Sequence, residues 1–360
     1  MPSVPRASRY AVVMAGGSGT RFWPRSRHRT PKQLLNILGT RTMLAETVAR
    51  VTPPIMRDRI FVVTAATHAD AVRAALPRIA ASRIIVEPEG RNTAAAIALA
   101  ALRLRSRDPK AVMAVLPADH MISDRKAFAG DLALALDVAE QTGALVTLGI
   151  RPTYPETGYG YVRAGASLPG SRGRVSWVEA FIEKPSRARA RALLARGGVR
   201  WNAGIFAWRV DVIVDALRTH APAVLEPLEA ALAKRGPTAL RRAYAKVPAV
   251  SIDTAVLERA ERVAMVQARF PWSDVGSWAA VEPLWRSPHN GRNAVRGKVV
   301  GVDSSGCVVD SPERLVALLG VEGLIVVDTP DALLVCRKDR AQDVRLVVAE
   351  LRRLGLERYL

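Results

Sequence analysis

The sequence predicts an α/β protein: a mostly parallel sheet with helices on both faces, then a small stack of strands and a terminal helix. Three observations carry this. Residues 9–149 alternate short apolar runs with helical patterns, as βαβ units do. After "SPHNGRN" (287–293), the runs "VVGVD", "GCVVD", "LVALLG", "LIVVD" and "ALLVC" follow one another across turns with no helix between them. The last segment, 339–356, sets Val344, Val347, Val348, Leu351 and Leu354 at helical spacing, which suits packing or a dimer contact. Two domains are expected, 1–288 and 289–360.

Strand 9–15 runs straight into the glycines of "AVVMAGGSGT". Helix 41–51 follows, then strand 59–64, "RIFVVT", and helix 67–80. Strand 83–86 ends at Glu87, and Asn92-Thr93 can cap the alanine-rich helix 93–106. Strand 111–116 delivers Asp119 and His120, helix 124–141 follows, and strand 144–149 closes the alternation. In such a sheet, ligands belong at the carboxyl ends of the strands, near the topological switch point. From 150 to 290 the pattern is less regular. Turn-rich "RPTYPETGYGYV" leads to strands near 175–182 and 203–209 and helices near 211–219, 221–234 and 237–245, an extension of the same domain that closes over the sheet edge.

The bulk composition narrows the class. With 360 residues, 49% of them hydrophobic, the chain can bury a large core. "MPSVPRASRY" has no apolar run, and "AVVMAGG" is too short for a signal or a membrane span, so a cytoplasmic protein with no membrane partner is expected. Cys307 and Cys336 spell neither a disulfide framework nor a zinc cluster and are read as two reduced, buried thiols. A net charge of +20 invites a nucleic-acid reading, but the arginines are spread through helices such as "RARARALLARGG" instead of gathering beside aromatics. No nucleic-acid partner is expected. Lysine is scarce, which draws attention to Lys32 and Lys184, where a compact point charge is wanted.

The glycine turn is a phosphate-binding candidate, because bare backbone N–H groups can line an anion. It is not a Walker A loop, which needs Lys-Ser or Lys-Thr directly after its last glycine. Nor is it a dinucleotide fingerprint: Phe22 stands where the third glycine belongs, and Thr64, not an acid, tips the second strand. Other strand ends carry "VEPEGRNTAAAIALAA" (86–101), "AVMAVLPADH" (111–120), "VEAFIEKP" (178–185), "WNAGIFAWR" (201–209) and "FPWSDVGSW" (270–278). Each has a plainer explanation alone, as a cap, a turn or a strand end. Together, a phosphate turn, two lysines and two carboxylates at strand ends of one α/β domain describe a nucleoside-triphosphate site with a metal, since Mg²⁺ needs one or two carboxylates plus phosphate oxygens.

These motifs resemble the sugar-phosphate nucleotidyltransferases, most closely the mannose-1-phosphate guanylyltransferases, over nearly the whole length. "AGGSGTRFWPRSRHRTPKQ" is similar to the family signature, and "EPEGRNTAAAIALAA", "LPADH", "GYGYV", "FIEKP", "WNAGIF" and "WSDVGSW" follow in the family's order. Arg25 departs from a common leucine and Ala95 from a proline. The resemblance implies a Rossmann-like, GT-A-like catalytic domain followed by a short left-handed β-helix, with the last helix a homodimer element. It also implies transfer of GMP from GTP to α-D-mannose 1-phosphate with Mg²⁺, giving GDP-mannose and pyrophosphate. Gly16, Gly17, Ser18, Gly19 and Thr20 would hold the triphosphate, and Glu87, Asn92 and Thr93 the base. Arg21 would neutralise pyrophosphate and Lys32 the α-phosphate, while Asp119 and Asp274 would hold the metal. Lys184 would bind the sugar phosphate, with Glu183, Asn202 and the backbone at Gly160 on the hydroxyls. The alternatives are another sugar 1-phosphate or nucleotide, or a catalytically silent regulatory homologue, which the presence of Asp119, Asp274, Lys32 and Lys184 argues against.

Overall fold

The structure is a computed structural model that describes residues 7–17, 19–234, 236–287 and 292–360. The first half alternates as the sequence dictates: β1 (Arg9–Met14), α1 (Met43–Val51), β2 (Ile60–Ala65), α2 (Ala69–Ala75), β3 (Ile84–Glu87), α3 (Asn92–Arg105) and β4 (Val112–Pro117). A short β5 (Met121–Ile122), α4 (Arg125–Thr142) and β6 (Leu145–Ile150) follow. Asp124 caps α4 by accepting the Ala127 N–H at 2.9 Å, and Gly143 ends it in the left-handed conformation. α2 stops well short of the expected residue 80. Pro77 cannot continue a helix and disfavours helical backbone at Leu76.

The remaining elements are β7 (Tyr161–Ser167), β8 (Val175–Ile182), α5 (Arg187–Arg196), β9 (Val199–Arg209), α6 (Val210–His220), α7 (Pro222–Lys234), α8 (Pro237–Tyr244), β10 (Val263–Gln267), β11 (Trp272–Ser273) and α9 (Glu282–Trp285). Their strands extend the same sheet beyond β4, and its last strand, β7, pairs back onto β9, Tyr161 opposite Trp201, so the extension curls onto itself. The order is β3-β2-β1-β4-β9-β6-β10-β8-β7, and every strand runs the same way except β8 and β9. Strand β9 wedges between β4 and β6 because its alternate residues are apolar on both faces: Ala203, Ile205 and Ala207 on one, Phe206 and Trp208 on the other. Two helical layers cover the sheet. α1, α2, α4 and α5 pack on the face that takes Ala11 and Val13, and α3, α6, α7 and α8 on the face that takes Val12.

The chain then builds β12 (Ala294–Val302), β13 (Val308–Leu319), β14 (Leu324–Asp328), β15 (Leu333–Arg337) and α10 (Val344–Arg353). β12, β13 and β14 stack in parallel, and the register between β12 and β13 breaks after Gly297, so both strands turn a corner together. Gly297 has φ 120°, and a Cβ there would lie 1.9 Å from the Ser311 carbonyl oxygen, so the corner requires glycine. This is a β-helix-like stack, closed by antiparallel β15. The expected boundary at 288/289 lies outside the described residues. Cys307 is buried, whereas Cys336 is only half-buried, on the inner face of the edge strand β15 beside Leu334.

This unit packs on the loop after β1. Phe22, Trp23, Leu35 and Ile37 share one core with Trp278 and Val281 and with Val308, Ile325, Val344 and Val348. The Trp278 indole donates to the Trp23 carbonyl at 3.0 Å, and the Trp23 indole donates to the Tyr359 carbonyl at 2.8 Å. Asp310, fully buried, accepts from Arg25 at 2.9 and 3.2 Å and from Arg296 at 2.7 and 2.6 Å. Arg25, the departure from the family's leucine, thus ties the signature loop to β13.

Candidate active site

The sheet's switch point lies between β1 and β4, since β2 and β3 extend to one side of β1 and β4 lies on the other. The loops leaving those two strands carry the glycine turn and Asp119. Gly19 has φ 61°, and a Cβ on it would lie 2.3 Å from the Lys32 Cβ, so glycine lets Lys32 pass directly beneath the turn. Ser26 donates to the Gly19 carbonyl at 2.8 Å, while Gln33 and Thr64 donate to that of Ala15 at 2.9 and 3.1 Å. The turn's shape is therefore fixed by its surroundings. Ser18 lies outside the described residues; Gly16 and Gly17 are exposed, and Gly19 and Thr20 are half-buried.

Lys32 is the hub. Its side chain is buried, and Nζ donates to Asp119 Oδ2 at 2.8 Å and to the Asp274 carbonyl at 2.6 Å. A two-residue ribbon brings the two acids together: β5 begins two residues after Asp119, β11 ends directly before Asp274, and Ser273 pairs with Met121. Asp274 Oδ1 accepts the Tyr159 hydroxyl at 2.6 Å. Val275 holds φ 47°, a strained value for a β-branched residue, beside Gly276, where a Cβ would lie 2.7 Å from Asp274 Oδ2.

Electrostatics keep these groups in defined states. Burial by itself would raise the Asp119 carboxyl, but Lys32 and His120 carry it below the usual range. Burial pushes His120 down to about 4, leaving a neutral ring whose Nδ1 accepts the Trp272 indole N–H at 3.2 Å. Burial, then the Asp274 charge, raises the Tyr159 phenol, which stays a donor.

On one flank of the turn, Glu87 is 3% exposed; Oε1 accepts the Tyr244 hydroxyl at 3.1 Å and Oε2 lies nearest to Gly16. Burial raises its carboxyl to about 7, against the Tyr244 hydrogen bond. Asn92 takes φ 64° and accepts the Thr93 N–H on its own Oδ1 at 2.8 Å, while the Thr93 hydroxyl accepts the Ile252 N–H at 2.9 Å. On the other flank, a Cβ on Gly160 would lie 2.6 Å from Glu183 Oε2 and 3.4 Å from the Asn202 Cβ, so these three residues share one spot. Lys184, at φ 42°, pairs with Glu183 at 2.9 Å and is otherwise exposed. Arg21 turns toward the C-terminal unit, donating to Gln342 Oε1 at 2.8 Å.

The fold thus gathers Lys32, Asp119 and Asp274 at the centre, with Glu87 and the Glu183–Lys184–Asn202 group on its flanks. Sequence reasoning missed Tyr159 and Tyr244, the partners of Asp274 and Glu87. Tyr159 lay in plain view within "GYGYV", whereas nothing near Tyr244 marked it as a partner of a residue 157 positions away. A cavity of about 320 Å³ between the signature loop and α10 shares only Thr20 with this constellation. Among the described residues no three His, Cys, Asp or Glu side chains could hold a metal together. A pair of carboxylates beside an anion turn does suit Mg²⁺, which completes its shell with water and phosphate oxygens.

A model of the nucleotidyl transferase family matches residues 10–285, and one described as a mannose phosphate isomerase/GMP-like β-helix domain matches residues 297–351. The chain belongs to the nucleotidyl transferase family. The relatives of this nucleotidyl transferase include the alginate biosynthesis protein AlgA of Pseudomonas aeruginosa, 39% identical over 94% of the chain and 71% of AlgA. A mannose-1-phosphate guanylyltransferase of Escherichia coli is also 39% identical, over 95% of the chain and 73% of that protein. A Thermus thermophilus crystal structure, described as a mannose-1-phosphate geranyltransferase, superposes with a TM-score of 0.85 at 40% identity, covering 96% of this chain and 99% of that one.

Proposed function

We propose that the chain transfers GMP from GTP to α-D-mannose 1-phosphate, giving GDP-mannose and pyrophosphate. The observation that carries this is the buried Lys32 ammonium joining the Asp119 carboxylate to the Asp274 loop directly beneath the glycine turn. That convergence suits a reaction in which two anions must meet. The names of the relatives supply the sugar and the nucleotide.

In this reading a phosphate oxygen of mannose 1-phosphate attacks the α-phosphorus of GTP in line, and the bond to the bridging oxygen of the β-phosphate breaks. No covalent intermediate on the protein is needed, so catalysis is positioning and charge neutralisation. The glycine-turn backbone cradles the triphosphate, Lys32 meets the α-phosphate and Arg21 the leaving pyrophosphate. Lys184 holds the sugar phosphate, while Glu183, Asn202 and the Gly160 backbone meet the hydroxyls. Asp119 and Asp274 would hold Mg²⁺, which supplies positive charge against the reacting phosphates. Glu87 faces guanine N1 and N2, both donors, with Asn92 and Thr93 beside it.

The reading extends to a cytoplasmic protein that pairs with a second copy through α10, where Leu346 and Val347 are exposed, as is Leu354 directly after the helix. No described helix is long and apolar enough to cross a membrane. Many arginines are spent in pairs, Arg174 and Arg269 on Asp131 and Arg105 and Arg218 on Glu229, which suits the absence of a nucleic-acid partner. The test is pyrophosphate release with Mg²⁺ over four nucleoside triphosphates, each with mannose 1-phosphate or glucose 1-phosphate. GTP with mannose 1-phosphate should be fastest. Another preferred pair would overturn the specificity, and silence throughout would favour a regulatory homologue.

A further inference from the structure

The sugar flank holds a carboxylate that the family signature did not bring to notice. Between α8 and β10 the chain makes a single π-turn, Asp253–Leu257, in which the Glu258 N–H reaches the Asp253 carbonyl at 2.9 Å. Such turns recur at functional sites, because the extra residue re-aims side chains. Here it sets two acids one turn apart, and each meets a different member of the sugar group. Asp253 Oδ1 accepts the Asn202 side-chain N–H at 2.8 Å, and Glu258 Oε1 accepts the backbone N–H of Glu183 at 3.1 Å.

Counting hydrogen bonds shows what this leaves for a ligand. Asn202 Oδ1 already accepts from the Thr147 hydroxyl at 2.8 Å and the Gly204 N–H at 3.1 Å, and one of its two amide hydrogens goes to Asp253. Asn202 can then offer a ligand one donor and no acceptor. A hexose presents hydroxyl protons that need acceptors, and Glu183 already shares Oε1 with Lys184. Asp253 is partly open, and Asn202 is the side chain that donates to it.

We infer that Asp253 is a sugar-contacting acceptor that works with Glu183 to select the hydroxyl pattern of the hexose 1-phosphate, while Glu258 is a positioning residue that fixes the Glu183–Lys184 turn. Burial, and next the Glu183 charge, raise the Asp253 carboxyl to about 7, as a carboxylate sharing a small site with another acid would show. The segment reaches the nucleotide flank too, since the Ile252 N–H goes to the Thr93 hydroxyl and the Val250 carbonyl accepts the Ala94 N–H. The inference rests on the proposed reaction and adds a residue to its sugar side.

The experiment compares wild type with Asp253→Asn, which keeps an oxygen for Asn202, and Glu258→Ala with Glu258→Gln, which keeps an oxygen for the Glu183 N–H. Each is assayed by pyrophosphate release with every sugar 1-phosphate the wild type uses. Asp253→Asn should raise KM for the sugar 1-phosphate at least tenfold, leave KM for the nucleotide within twofold and reduce the preference between 2-epimeric sugar phosphates. Glu258→Ala should raise the same KM severalfold, and Glu258→Gln should restore it. An unchanged sugar KM in Asp253→Asn, or sugar and nucleotide KM rising together, would overturn the inference. Wild-type preference for another sugar 1-phosphate would refute the proposed substrate while leaving the Asp253 comparison decisive.

Discussion

Exchanging Glu87 for glutamine changes one proton and little else, because the amide keeps an oxygen for the Tyr244 hydroxyl now 3.1 Å from Oε1. Burial raises the Glu87 carboxyl from 4.5 to about 7. In the unfolded chain it ionises near its ordinary value, so between those two values the folded protein holds a proton that the unfolded chain has released. Stability therefore falls as pH rises through that window, and levels off above it. The shift corresponds to about 3 kcal/mol, since one unit is about 1.4 kcal/mol. For a chain of this size the unfolding entropy is about 0.8 kcal/mol per degree, so the difference is about 4 °C in Tm. Thermal unfolding of both proteins from pH 4 to pH 8, followed by tryptophan fluorescence, isolates Glu87, because other titrating groups cancel in the difference. Equal Tm at pH 4 and a variant about 4 °C more stable at pH 8 are expected. A difference that does not change with pH would refute the buried, protonated carboxyl. The same variant should lose GTP affinity, with the larger loss above pH 7, where the wild-type carboxylate is ionised for guanine.

Asp119→Asn and Asp274→Asn should each lower kcat by about 100-fold or more, with unaltered circular dichroism; near-normal turnover in either would remove that residue from the metal pair. Lys184→Ala should raise KM for mannose 1-phosphate by about 10- to 100-fold, the worth of one charge-assisted hydrogen bond, while KM for GTP holds; steady-state kinetics with each substrate varied in turn decide it. Asp310→Ala leaves Arg25 and Arg296 facing each other across a buried site and should cost about 3–5 kcal/mol, read as a lowered Tm. An unchanged Tm would mean that the Asp310 ion pairs do not help hold the signature loop to the C-terminal unit.

The first half of the fold was legible because its strands and helices are set by local apolar period, and the site's outline because strand ends in a parallel sheet converge on the switch point. What sequence could not give was pairing across distance. Strand β10 is five residues with no hairpin partner nearby, and it exists because β6 and β8 accept it on either side. The ribbon of β5 and β11 that brings Asp119 to Asp274 is two residues long in each arm, below any periodic signal. Asp253 reads as an ordinary acid in "SIDTAV", and only the π-turn aims it at Asn202. Nothing near Arg21 marks Gln342, more than 300 residues away, as the partner of its guanidinium.

The proposed reaction requires one site to join the α-phosphorus of GTP to a sugar phosphate. GTP carrying radiolabelled α-phosphate, incubated with mannose 1-phosphate and Mg²⁺, puts that requirement to the test. Label is expected in GDP-mannose, with one pyrophosphate released per product. Label left in GTP, or released as free guanosine phosphates without the sugar, would show that the site does not make this bond.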